Sequence, residues 1–259
     1  MERDFAALLE QCRRGGVEVR ADSRQVGPGD VFVAVPGASE DGARFISAAV
    51  AAGAATVVCR PDAAAAVSGG CAVVAHPDPR EALWRLAQAR WHTDALALKI
   101  LGVTGTNGKT TCAYLLERLF SEAGHKVGVM GTVNYRWPGH TEPAPLTTPD
   151  PLHVHAMLAQ MAAAGADVAV MEASSHAIEQ QRVDGVPFAG AIFTNLTQDH
   201  LDYHRDMESY FKAKARLFLE LPRADKAVAV NADDPWGRRL LELCPDALSF
   251  GLQKGGPQR

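Results

Sequence analysis

The sequence is short of cysteine, of aromatic residues and of basic runs, and each shortage excludes a class of protein. Its five cysteines, Cys12, Cys59, Cys71, Cys112 and Cys244, are scattered, odd in number and free of any CxxC pair. That pattern excludes a disulfide framework and a zinc ribbon and fits a reducing compartment. No stretch reaches the roughly 18 apolar residues of a membrane span. Residues 1–14 carry charges of both signs where a signal peptide needs an apolar run. Lys and Arg total 26 against 30 Asp and Glu, a formal charge of −4 with no long basic block, so nucleic acid is not the expected partner. Aromatics are 7% of the chain, so the core has to come largely from Ala, Val, Leu and Ile. With 47% hydrophobic and 22% charged among 259 residues, the composition predicts a soluble, cytoplasmic globular protein of one or two domains.

What is present is an alternation of aliphatic runs and helical patterns from residue 98 onward. Residues 98–105, 126–133, 167–174, 189–195 and 226–232 read as strands. Residues 110–124, 151–165, 206–220 and 234–243 read as helices, the first with Leu115, Leu116, Leu119 and Phe120 on one side. Asp150 and Pro151 supply a cap and a first helical residue for the second. This is the pattern of an α/β fold, a mostly parallel central sheet with helices on both faces. Residues 1–97 have a different texture: an opening helix, a strand delivered by the Gly/Pro turn of 27–37, a helix over 42–53, strands at 55–59 and 72–75, and a helix at 80–91. The alanine stretch at 63–66 reads as surface helix or loop. A domain boundary is expected near 93–98.

The strongest chemical signal is Thr104-Gly105-Thr106-Asn107-Gly108-Lys109-Thr110-Thr111, between a buried strand and a helix. Glycines let the backbone wrap phosphate oxygens, so that N–H groups and a helix N-terminus face the negative charge. Lys109 would reach terminal phosphates and the Thr110 hydroxyl would ligate Mg²⁺. Val103 stands where the general P-loop pattern has glycine, and a tight turn without a ligand is the alternative. Glu172, at the end of a strand in Met171–His176, is placed for Mg²⁺, because ligand sites in parallel sheets lie at the carboxyl ends of strands. Residues 194–204 concentrate Asp199, His200, Asp202 and His204. A transition-metal hydrolase is the other reading of that string, but no thiolate lies near it, and His153 and His155, two apart, cannot share a helix face. Lys212 and Lys214 follow on a helix, where spacing does not choose between a solvated lysine and one that meets phosphate. Asn231-Ala232-Asp233-Asp234 ends a strand and suits a nucleotide contact or a helix cap.

In their order along the chain, TGTNGKTT, MEASSHAIEQQRV, FTNLTQDHLDYH, a downstream lysine and NADD resemble the Mur ligase family, as do DSRQVGPGDVFVAVPG (22–37) and the TTP step (147–149). The match is nearest to the branch that adds the third residue of the peptidoglycan precursor peptide, and it covers about residues 20–250. The resemblance implies a P-loop-type central ATP-binding domain (98–259) preceded by a smaller UDP-MurNAc-binding domain (1–97). It implies ATP-driven amide formation on UDP-MurNAc-L-Ala-D-Glu, with meso-diaminopimelate or lysine as the incoming amino acid, ATP and Mg²⁺ as cofactors, and a monomer.

By motif, the resemblance implies that Gly105, Thr106, Asn107, Gly108, Lys109, Thr110, Thr111 and Asn231 hold the nucleotide. Lys109, Glu172, His200 and Lys214 would be catalytic, and Thr110, Glu172, His200 and a carbamate on Lys214 would ligate metal. Ser23 would meet the uridine nucleotide, and Thr147, Thr148, Ser174, Gln180 and Arg182 the muramyl-peptide. Family members carry a third, C-terminal amino-acid-binding domain, for which 259 residues leave no room. A sister ligase such as folylpolyglutamate or cyanophycin-type synthetase is the alternative enzyme, against which the DSR…GDVFVAVPG segment argues. A nucleotide-binding module without catalysis is the alternative outside the enzymes.

Overall fold

A computed structural model describes residues 4–37, 40–199 and 203–252, with the side chains of 222–225 left aside. The chain divides into two compact units, residues 1–94 and 95–259. Among the described residues, no helix is long and apolar enough to cross a membrane.

The first unit runs α1 (Phe5–Arg13), β1 (Val19–Arg20), β2 (Val31–Val33), α2 (Ile46–Ala51), β3 (Thr56–Cys59), β4 (Ala72–Ala75) and α3 (Pro79–Trp91). Its four strands form a parallel sheet in the order β1-β2-β3-β4. β2 and β3 are buried at every position and meet Ile46 and Ala49 of α2 in one apolar cluster. Asp78 caps α3 by accepting from the Arg80 and Glu81 amides, with Pro79 in the first turn, where its missing N–H costs nothing. The helix expected over 42–53 is shorter. Asp41 accepts from the Ala43 amide, the Gly42 amide donates to Val35 O, and a bridge joins Pro36 to Asp41. Those bonds hold residues 42–45 in a 3₁₀ turn before α2 begins. The alanine stretch also lies in a 3₁₀ helix, Pro61–Ala66.

The second unit contains β5 (Lys99–Thr104), α4 (Lys109–Glu122), β6 (Val127–Met130), β7 (Asn134–Trp137), β8 (His140–Pro143), α5 (Pro151–Ala163), β9 (Val168–Glu172), α6 (Ser175–Glu179), β10 (Phe188–Phe193), α7 (Met207–Leu219), β11 (Pro222–Asn231), α8 (Pro235–Leu243) and β12 (Leu248–Phe250). The strands form one sheet in the order β12-β11-β10-β5-β9-β6-β7-β8, parallel from β12 to β6. Successive side chains alternate between faces. Ile100, Ala169, Met171, Ala191 and Phe193 pack with residues of α5 and α7, whereas Leu101, Val103, Val127, Val129, Val168 and Val170 pack with α4.

Three features were absent from the aliphatic-run pattern. The antiparallel hairpin of β7 and β8 is carried by Tyr135 and Trp137, which alternate inward, and turns at Pro138-Gly139. Short β12 adds an edge strand to β11. On α4, Ala113, Leu116 and Phe120 face the sheet, but Leu115 and Leu119 are 58% and 66% exposed. The contact stripe follows the i, i+3, i+7 row, and the other pair lies beyond its edge.

The register aligns the carboxyl ends of the central strands. Thr104 lies beside Phe193, Val103 beside Glu172, and Phe193 beside Val230. From β5 the chain crosses over β9 to β6, and from β10 it leaves the other way to β11, so the loops that follow β5 and β10 lie at a topological switch point of the sheet. The packing of these strands is close: a Cβ on Gly190 would lie 2.7 Å from Ala227 O and 2.9 Å from Leu101 Cδ2. Gly190→Ala is therefore expected to cost about 1–3 kcal/mol by overpacking, read as a lower urea midpoint. An unchanged midpoint would contradict this strand contact.

Candidate functional site

The loop between β5 and α4 is built on two left-handed or extended glycines. Gly108, at φ +85°, precedes α4, and no side chain caps that helix, which leaves its first N–H groups to meet an anion. Gly105, at φ +151°, passes so close to β10's loop that a Cβ would lie 1.9 Å from Thr194 Oγ1. Thr194 and Asn195 then lock the loop: Thr194 Oγ1 donates to Asn107 O (2.6 Å), the Asn107 amide donates to Asn195 Oδ1 (3.0 Å), and the Thr106 amide donates to Asn195 O (2.8 Å).

Two lysines converge on the same carbonyl. Lys109 Nζ donates to Gly105 O and Thr106 O, each at 2.9 Å, and Lys214 Nζ donates to Gly105 O at 2.9 Å. Lys214 is 1% exposed. Burial drives its pKa well below the ordinary 10.5, the Lys109 charge adds to that, and Asp199 opposes it. Lys109 is lowered as well, by burial first, against the pull of Glu172 and Asp199. Main-chain oxygens that hold ammonium groups can be replaced by the oxygens of an incoming anion.

Glu172, 1% exposed at the end of β9, accepts from Thr110 Oγ1 (2.9 Å), Thr132 Oγ1 (2.9 Å) and the Thr132 amide (3.0 Å). Thr132 Oγ1 also pairs with Thr147 Oγ1 at 3.1 Å. Behind Glu172, Thr148 Oγ1 donates to its carbonyl (2.7 Å) and accepts from the Ser174 amide (3.1 Å). Arg182 donates to Thr148 O (3.1 Å) and forks onto Gln180 Oε1, and Gln180 Nε2 donates to Tyr203 OH (3.0 Å). Thr147, Thr148, Ser174, Gln180 and Arg182 thus form one connected group beside Glu172. Burial lowers the Arg182 pKa, against Asp150, Tyr203 and Tyr135.

The remaining expected residues are placed as follows. Asn231 Nδ2 donates to Thr194 O (2.8 Å), and its Oδ1 accepts from the Asp233 amide (2.9 Å), so it braces the β10 loop. Thr111 is exposed in the first turn of α4, and Ser23 is half-buried in a 3₁₀ turn of the first unit, Ser23–Gln25. His200 lies outside the described residues, as does Asp202. Among the described residues, no group of three His, Cys, Asp or Glu side chains is gathered to hold a metal. Thr132, Thr194, Asn195 and Tyr210 were not anticipated as site residues. Thr194 and Asn195 stood inside a quoted motif, but Thr132 carried no local signal.

Comparison with known proteins adds a second line. Residues 103–256 match the Mur ligase middle domain, and residues 17–91 match the Mur ligase family, catalytic domain. The UDP-N-acetylmuramoyl-L-alanyl-D-glutamate--2,6-diaminopimelate ligase of Lawsonia intracellularis is 50% identical over 247 residues, 95% of this chain and 51% of that protein. The ligase of the same name from Gloeobacter violaceus is 48% identical over 90% of this chain and 47% of its own length. The chain spans about half the length of the curated relatives it matches. A solved structure of a 2,6-diaminopimelate ligase of that name superposes with a TM-score of 0.77 at 31% identity, covering 92% of this chain and 49% of the other. The MurF ligase of Thermotoga maritima, solved in complex with ADP, shares the fold at 22% identity and a TM-score of 0.59.

The burial of Lys214 has a measurable consequence. An unfolded chain keeps that proton up to the ordinary 10.5, whereas the folded chain releases it at lower pH. Between those limits the unfolded state binds more protons, so stability rises with pH. Urea midpoints measured from about pH 7 to about pH 10 are expected to rise more steeply for the wild type than for Lys214→Met. Parallel curves would contradict a buried amine.

Proposed function

The chain belongs to the Mur ligase family, and from that premise we propose that it forms the UDP-sugar-binding and ATP-binding parts of a ligase joining meso-diaminopimelate to UDP-MurNAc-L-Ala-D-Glu in peptidoglycan precursor synthesis. The amino acid follows from the relatives, which are diaminopimelate ligases by name. Residues 1–94 take the UDP end, with Ser23 at the uridine nucleotide, and residues 95–259 take ATP. The observation that carries the reading is the glycine turn from Gly105 to Gly108, with Lys109 and Lys214 both directed at its carbonyls.

The chemistry is two displacements. A carboxylate oxygen of the D-Glu residue attacks the γ-phosphorus of ATP, and ADP leaves. The amine of diaminopimelate then attacks the acyl carbon, expels phosphate and loses a proton as the amide forms. Little covalent work falls to the protein, which positions reactants and offsets charge. Gly105, Thr106, Asn107, Gly108, Lys109, Thr110 and Thr111 hold the phosphates, with Asn231 bracing the adjoining loop. Thr147, Thr148, Ser174, Gln180 and Arg182 hold the muramyl-peptide, where the planar fork of Arg182 suits a carboxylate or phosphate.

The oxygens of Thr110 and Glu172, already 2.9 Å apart, fit a hard cation such as Mg²⁺, which takes one or two carboxylates besides phosphate and water. Bound there it would neutralise charge on the transferring phosphoryl group. His200 and Lys214 are the further ligands. The lowered pKa of Lys214 supplies the neutral amine that can add to CO₂ and lose a proton to become a carbamate, turning a cation into an anionic oxygen ligand.

Equilibrium binding tests the reading. The chain is expected to bind both ADP with Mg²⁺ and UDP-MurNAc-L-Ala-D-Glu. Lys109→Met is expected to weaken ADP binding by about 10-fold to 100-fold, the worth of a charged hydrogen bond, and to leave the UDP-MurNAc-L-Ala-D-Glu Kd unchanged. Absence of binding to that nucleotide-sugar peptide would overturn the substrate, and an indifferent Lys109→Met would overturn the nucleotide site.

A further inference from the structure

A line of polar side chains runs from α6 to Thr106 of the glycine loop, and its members before Thr106 take no part in the chemistry described above. His204, 2% exposed, places Nε2 at 2.9 Å from Ser175 Oγ and Nδ1 at 3.2 Å from Glu179 Oε2. Serine, histidine and carboxylate in that order have the geometry of a hydrolase triad. Ser175 is 1% exposed, however, so its hydroxyl is closed to an electrophile. The connectivity continues instead. The Tyr210 ring stacks on His204 at 4.8 Å between centroids, and its hydroxyl pairs with Thr106 Oγ1 at 3.3 Å. Thr106 Oγ1 in turn accepts from the Thr197 amide at 3.0 Å. The other side of the Tyr210 ring's environment is Lys214, whose Nζ lies 4.7 Å from the centroid.

Each end of this line touches a different binding surface. Glu179 precedes Gln180 and Arg182, and Thr106 belongs to the phosphate loop. The geometry points to His204 and Tyr210 as positioning residues that couple occupancy of the Ser174–Arg182 segment to the affinity of the Gly105–Thr111 loop for nucleotide. The coupling rests on the proposed function for the identity of the two ligands. A shift of Ser175 moves the His204 ring bonded to it, and through the Tyr210 ring stacked on His204 it reaches the Tyr210 hydroxyl and Thr106. Such coupling is reciprocal: each ligand changes the affinity of the other by the same factor.

The test is the ADP Kd, in Mg²⁺, with and without saturating UDP-MurNAc-L-Ala-D-Glu, for the wild type, Tyr210→Phe, Ser175→Ala and the double variant. Tyr210→Phe keeps the ring, its stacking and its contact with Lys214, and removes only the hydroxyl. The wild type is expected to show a change of about 5-fold or more between the two conditions. Either single variant should reduce that factor to near one, and the double variant should do no more, because both interrupt the same line. Melting temperatures recorded alongside separate coupling from stability. A lowered Tm with the wild-type factor retained would overturn the proposal, as would single effects on the factor that add in the double variant. A wild type that binds both ligands independently would overturn it too. A wild type that binds no ADP would instead overturn the nucleotide reading and, with it, the coupling.

Discussion

The Gly105 carbonyl, shared by the ammonium groups of Lys109 and Lys214, is the contact around which the second unit is arranged. Two like charges at one oxygen repel, and burial raises their cost further. The arrangement holds because the amines are pushed toward neutrality and because the loop that carries the carbonyl is fixed from outside by Thr194 and Asn195. Gly105 is required at its position, since any side chain would occupy the space of the Thr194 hydroxyl. The consequence is a loop already set in place, with two lysine amines held on its main-chain oxygens.

Glu172 performs the matching task on the other side of α4's first turn. Its carboxyl group is nearly sealed from solvent, yet three donors from Thr110 and Thr132 satisfy it, which is the condition for keeping a polar group buried. Because Glu172 sits beside Val103 in the register of β9 and β5, the same strand pairing that buries the core also fixes the distance from carboxylate to loop. Fold and site are therefore one set of constraints. A change in strand spacing, as at Gly190, is felt through the strands that carry the loops.

Much of this was legible in the sequence where the information is local. The strand, glycine turn and lysine of residues 98–109 announce themselves within a dozen residues, and Asp150-Pro151 marks the start of α5 at the residue where the structure begins it. Aliphatic runs located β5, β6, β9, β10 and β11 because buried parallel strands are apolar on both faces. The hairpin of β7 and β8 escaped that criterion, since Tyr135 and Trp137 alternate with Asn134 and Arg136. The exposure of Leu115 and Leu119 was invisible because helical periodicity gives a side and not the width of its contact. Thr132 and Tyr210 could not be found locally: they meet Glu172 and Thr106 across 40 and 104 residues of chain. The choice between Lys212 and Lys214, open in the sequence, is decided for burial by the turn of α7, which points Lys214 inward and leaves Lys212 paired with Glu208 at the surface.

The central claim is that the loop from Gly105 to Thr111, with its two lysines, receives the phosphates of a nucleotide. A crystal structure of the chain with ADP and Mg²⁺ tests it most directly. The account requires the β-phosphate inside the loop, with Lys109 Nζ turned from the carbonyls of Gly105 and Thr106 to a phosphate oxygen. Nucleotide bound elsewhere on the chain, or bound with Lys109 still on both carbonyls, would contradict it.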